Sequence, residues 1–101
     1  MYPSARPAVR EGTLSKQSDW LGVWRTRTYK FEKSWLYFAV DKSSKPHMKV
    51  NIAKSRIKLV KASPSDLIEI KDQSGNVFRI RGVTSQETKE LCLFLQKNGS
   101  P

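Results

Sequence analysis

From Val9 to Arg81 the chain breaks into short runs in which apolar and polar residues take turns, separated by charged or glycine-bearing connections. Side chains on a strand point alternately to its two faces, so this period of two specifies strands and works against helix. In GTLSKQ, Gly12, Leu14 and Lys16 share a face. In WRTRTYKF, Arg25, Arg27, Tyr29 and Phe31 do the same. WLYFAV is apolar on both faces, as expected of a strand with a core side and a covered outer side. Glu32-Lys33-Ser34 is a short connection that makes a hairpin of the last two runs. KVNI, RIKLVK, LIEIK and VFRIR follow, and DQSGN carries a turn signal at Gly75-Asn76.

The end of the chain changes period. TSQETKELCLFLQKNG opens with Thr84 and Glu87 at capping-box spacing, and Gly99 is placed to stop a helix. Thr88, Leu91, Cys92 and Leu95 recur on one helical face, with Phe94 beside them. The expected fold is mainly β with one C-terminal α-helix. It is a seven-stranded, bent antiparallel sheet or barrel, capped by a helix near residues 85–97 that buries Leu91 and Leu95. At 101 residues there is one domain. It is expected over residues 10–98, with 1–9 as a disordered N-terminal tail or linker and 99–101 as a C-terminal tail.

Charge narrows the function. Nineteen Lys+Arg against nine Asp+Glu give +10, which points to a polyanionic partner: nucleic acid, an anionic membrane or an acidic protein. No apolar run approaches the roughly 20 residues that cross a bilayer. The chain is therefore expected to be soluble or held on a membrane from its surface. The single cysteine, Cys92, excludes an internal disulfide, fits a reducing compartment and sits on the packed helix face. No paired carboxylates, nucleotide loop, metal-ligand cluster or Cys–His pair appears, so neither an enzyme nor a cofactor is expected.

Lys16, Arg25 and Arg27 stand out because the face they share is apolar away from the loop and cationic beside it. Cations leaning inward at a barrel rim are costly if dehydrated and unpaired. An open mouth suits them, since a multiply charged anion can sit there on side-chain donors. The plain alternative is that all three are solvated charges at strand ends.

These residues resemble the pleckstrin homology family. Gly12-Thr13-Leu14-Ser15-Lys16 matches its first strand, Trp24 to Phe31 its W-K-x-R-x-F-x-L second strand, and Leu36-Tyr37-Phe38 its third. Strand count and terminal helix extend the resemblance over about residues 10–97. Phosphoinositide-binding members share K-x(n)-[KR]-x-R, satisfied here by Lys16, eight residues, then Arg25-Thr26-Arg27. The resemblance implies that Lys16, Arg25 and Arg27 grip the phosphates of an inositol head group. It implies a module that takes its protein to anionic cytoplasmic membrane surfaces in signalling. Phe38 stands where several tight binders carry a tyrosine that reaches the ligand, and Leu91 near where the family usually has tryptophan.

Further candidates surround this motif. Trp20, Leu21 and Val23 form an apolar loop tip that either dips into lipid or folds back as a lid. Lys42, Lys45, Lys49, Lys54, Arg56, Lys58 and Lys61 occur with no acidic residue between Asp41 and Asp66. Such a run is usually a solvated face. Lys45, His47 and Lys49 are nonetheless candidate secondary ligand contacts, with Phe38, because the loop after the third strand should return to the mouth. Trp35 and Tyr37 read as outer-face packing. A second function class is a protein-interaction module on the same fold, with RIKLVK offering an edge to an extended peptide. Nucleic acid is disfavoured as a partner, since no aromatic-rich RNA-binding strand is present.

Overall fold

The computed structural model describes residues 9–18, 22–63 and 65–99, so the expectations for the N-terminal tail up to Ala8 and for Trp20 and Leu21 lie outside the described residues. Seven strands form one antiparallel sheet: β1 (Val9–Gln17), β2 (Trp24–Glu32), β3 (Trp35–Ala39), β4 (Met48–Asn51), β5 (Arg56–Val60), β6 (Leu67–Lys71) and β7 (Val77–Arg81). A 3-10 turn, Ile52–Lys54, joins β4 to β5, and α1 (Ser85–Gly99) ends the chain. The strand order is β4-β3-β2-β1-β7-β6-β5, so β4 and β5 are the edges. The alternating runs form strands as expected, with β1 already paired at Val9. Val40 leaves β3 and is 55% exposed, outside the apolar strand expected to contain it.

The sheet bends where pairing is shortest. β1 and β2 match from Val9↔Glu32 to Gln17↔Trp24, whereas β1 meets β7 only at Ser15↔Arg81 and Lys16↔Ile80. Two leaves thus face each other across a core. Leu14, Phe31, Leu36 and Phe38 come from one leaf, and Ile68, Ile70 and Ile80 from the other.

Helix α1 packs on β5, β6, β7 and the 3-10 turn, so it closes the open side next to β5. Leu91, Cys92 and Leu95 enter the core, and Phe94 meets Phe31 edge-on with ring centroids 5.3 Å apart. Each fully buried leucine contributes about 1.5–3 kcal/mol relative to exposure. At the other face, Gln96 Nε2 donates to the Ile57 carbonyl at 2.9 Å, capping one acceptor of the β5 edge.

The helix start is built as its spacing predicts, with one shift. The Glu87 amide donates to Thr84 Oγ1 at 3.1 Å, while the Glu87 carboxylate accepts from the Val83 amide at 3.1 Å, one residue before the cap. Buried Thr88 uses its hydroxyl twice, donating to the Thr84 carbonyl and accepting from the Gly82 amide. The helix includes Gly99 rather than stopping before it, and the Asn98 side chain donates to the Phe94 carbonyl near its end.

Two backbone sites make opposite predictions. Lys33 and Ser34 alone join β2 to β3, both at positive φ (52° and 69°), a two-residue turn that favours Asn-Gly. Replacing them by Asn-Gly is expected to raise stability by about 0.5–1 kcal/mol, seen as a higher urea midpoint at unchanged slope. A Cβ at Gly82 would lie 2.8 Å from Glu87 Cβ and 3.0 Å from the Thr88 nitrogen. Gly82→Ala therefore forces α1 off β7, and the midpoint should fall by the equivalent of about 1–3 kcal/mol.

Candidate anion-binding site

At the loop end of β1 and β2 the inward phase of both strands passes from apolar to cationic. Leu14 pairs with Arg27, and one rung further in the same phase Lys16 pairs with Arg25. On the outer phase, the Arg81 guanidinium lies 4.2 Å from the centre of the Trp24 ring. Trp24 on one face leaves Arg25 for the other. Two backbone hydrogen bonds, Gly22 to Ser18 and Ser18 to Val23, close the stem of the β1–β2 loop. Val23 is 43% exposed on this stem.

Lys16, Ser18, Arg25, Arg27, His47 and Met48 line a cleft of about 240 Å³. The three cations of the motif are therefore brought together, and His47 joins them. Among the described residues, none of the three has a carboxylate oxygen within 4.0 Å, while Lys30, Lys58, Lys61 and Arg79 each have one. Arg27 Nη1 donates to the Thr26 carbonyl at 2.8 Å, which directs the guanidinium along the strand. The Lys16 ammonium lies 5.8 Å from the Phe38 ring centre and 5.7 Å from that of Phe78. Such a cluster of donors in one open cleft suits a compact polyanion such as a phosphate ester.

His47 is delivered by a folded loop. Its amide donates to the Phe38 carbonyl at 2.9 Å, fixing the start of β4 beside β3. At the loop's beginning the Asp41 carboxylate accepts from the Ser44 hydroxyl at 2.8 Å and from the Ser43 hydroxyl and amide at 3.0 Å. These bonds, that of the Ser44 hydroxyl foremost, hold the Asp41 carboxyl below its usual range.

The remaining candidates separate. Phe38 is fully buried, so it is a floor beneath Lys16 and has no face for a ligand. Lys49 does not line the cleft: it lies within β4, in the phase opposite Met48, with its ammonium 4.7 Å over the Trp35 ring on the outer face. Lys45 is exposed on the β3–β4 loop and does not line the cleft. Reading the sequence alone missed Phe78, Ser18, Met48 and the Asp41 clamp. A larger cavity, about 410 Å³, lies over the β1–β2–β3 leaf and the β3–β4 loop. Its charges are mixed, with Glu11 and Asp41 beside Lys30 and Lys42, so the smaller cationic cleft is the better candidate for an anion.

The sequence matches no protein-family model and no curated protein. In three dimensions the chain is similar to the C-terminal PH domain of pleckstrin in complex with D-myo-Ins(1,2,3,5,6)P5, with TM-score 0.80, 17% identity and coverage of 89% of this chain and 93% of that one. The human oxysterol-binding-protein-related protein 11 PH domain gives 0.77 at 20% identity, covering 95% and 83%. The ArhGAP27 pleckstrin homology domain gives 0.75 at 16%, covering 90% and 98%. The chain has the pleckstrin homology fold.

The Asp41 clamp has a signed pH dependence. A carboxyl whose pKa falls on folding stabilises the folded loop above its unfolded value, and that contribution is lost as pH falls through the folded value. The Ser43 amide proton resonance is expected to hold steady from neutral pH to about pH 4 and to move upfield below it. Asp41→Ala should place that resonance upfield at every pH.

Proposed function

We propose that this domain binds the phosphorylated inositol head group of a phosphoinositide in the Lys16–Arg25–Arg27 cleft, and so holds its protein on anionic membrane at the cytoplasmic surface. The observation that carries this reading is the convergence on one cleft at the rim of the core of His47 and three cations that have no carboxylate partner among the described residues. Cations with no carboxylate beside them among the described residues keep most of their donors for a ligand. The inositol pentakisphosphate bound to the pleckstrin domain of the same fold supports this ligand class.

Binding has a specific and a diffuse part. Phosphates in the cleft take charge-assisted hydrogen bonds from Lys16, Arg25 and Arg27, with His47 as a secondary contact. The rest of the +10 charge adds attraction to anionic lipid, about 1 kcal/mol for each basic residue near the surface. Exposed Val23, with Trp20 and Leu21 in the same loop, offers an apolar foothold beside the head group.

The competing reading is peptide docking along the β5 edge. β5 is an edge strand, which favours it, but the Gln96 side chain already occupies the Ile57 carbonyl and α1 lies alongside.

Liposome sedimentation with and without each phosphoinositide tests the proposal. Arg27→Ala should weaken phosphoinositide binding about tenfold or more, since a hydrogen bond to a charged group contributes roughly 1.5–3 kcal/mol. Arg27→Lys should recover only part, lacking the bidentate fork. Lys89→Ala removes the same charge from the exposed face of α1 and should change little. Binding to phosphatidylserine vesicles should decline with salt more steeply than binding to phosphoinositide vesicles, because the Debye length is about 8 Å at physiological ionic strength. Equal loss from Arg27→Ala and Lys89→Ala would reduce the basic charge to a general field.

A further inference from the structure

Lys16 is a half-buried cation of the cleft, and what lies beneath it is aromatic. Phe38 rises from β3 in one leaf and Phe78 from β7 in the other. Both rings are core residues, at 0% and 6% exposure, and the ammonium sits within 6 Å of both centres. Among the described residues no carboxylate lies within 4.0 Å of it. What the structure places against the ammonium, among the described residues, is the pair of ring faces.

We propose that Phe38 and Phe78 are positioning residues for the site, holding the Lys16 ammonium over the core so that its donors already face the cleft before a phosphate arrives. This inference rests on the reading of the cleft as a phosphate site. A free lysine side chain explores many rotamers and loses that freedom when it grips a ligand. Attraction to two ring faces, supplied by strands that meet only across the core, limits the rotamers in advance. A carboxylate could hold the ammonium equally well, but it would compete for the donors and repel the incoming anion. A ring face does neither: its quadrupole attracts the cation without taking a hydrogen bond. The plain alternative is that the aliphatic stem of Lys16 covers apolar surface, in which case any apolar side chain beneath it would serve.

A double-mutant cycle separates the two. Inositol hexakisphosphate is titrated calorimetrically into wild type, Phe78→Leu, Lys16→Met and the double variant, at one fixed salt concentration. Phe78→Leu keeps an apolar side chain and removes the ring. It is expected to weaken binding about three- to tenfold with Lys16 present, the range set by the rotamer cost of one long side chain. In the Lys16→Met background it should cause no further loss. Equal loss in both backgrounds, or none in either, overturns the proposal and leaves the cleft reading in place.

The free protein gives a second readout that needs no variant to fold. Ring currents should move the Lys16 ε-methylene proton resonances upfield of those of Lys42 and Lys45. Coincident resonances would overturn the ring contact whatever the calorimetry shows. If wild type fails to bind the phosphate probe while the upfield shift is present, the phosphate reading falls and the ring contact stands.

Discussion

The β1–β2 ladder sets the rest of the molecule. Its inward phase carries Leu14, Tyr29 and Phe31 into the core, and the same phase, continued to the loop end, carries Lys16, Arg25 and Arg27 to the rim. Core and candidate site are two ends of one alternation. A slip of one residue on either strand would turn its apolar side chains to water and its cations to the outer face together. Folding correctly and presenting the cleft are therefore the same event.

That shared phase has an energetic consequence. Elsewhere some cations lie beside carboxylates, with Glu69 serving both Lys58 and Arg79 and Asp66 serving Lys61, while Lys49 and Arg81 lie over tryptophan rings. At the rim no such neutralisation occurs among the described residues. The cleft is held by its surroundings instead, through the β1–β2 pairing, the tethered β3–β4 loop and the aromatic floor. Sites that conserve charge for a ligand commonly give up some stability in this way.

How far the fold and the cleft could be read from sequence depended on whether the information was local. Alternation within nine-residue strands and a hairpin turn suffices to put Lys16, Arg25 and Arg27 on one face, because strand pairing there is between neighbours in sequence. The helix followed from its cap and its period. Lys49 falls within the strand that KVNI announces, but which face it takes depends on where β4 begins, and a loop followed by a four-residue strand gives little signal of that boundary. Phe78 was legible as a core residue from the alternation in VFRIR, but its place beneath Lys16 depends on how two leaves fold over one another. The Asp41-Lys42-Ser43-Ser44 clamp is local as well, since aspartate followed by serines is a turn-former.

The Gln96 bond to the Ile57 carbonyl has a bearing on how copies of the domain meet. An edge strand offers a row of open donors and acceptors on which another strand can add. A side chain that already occupies one rung interrupts that row, and the exposed Arg56 at the start of the strand sets like charge against like on a second β5. Copies of the domain can then meet at high concentration without their sheets joining edge to edge.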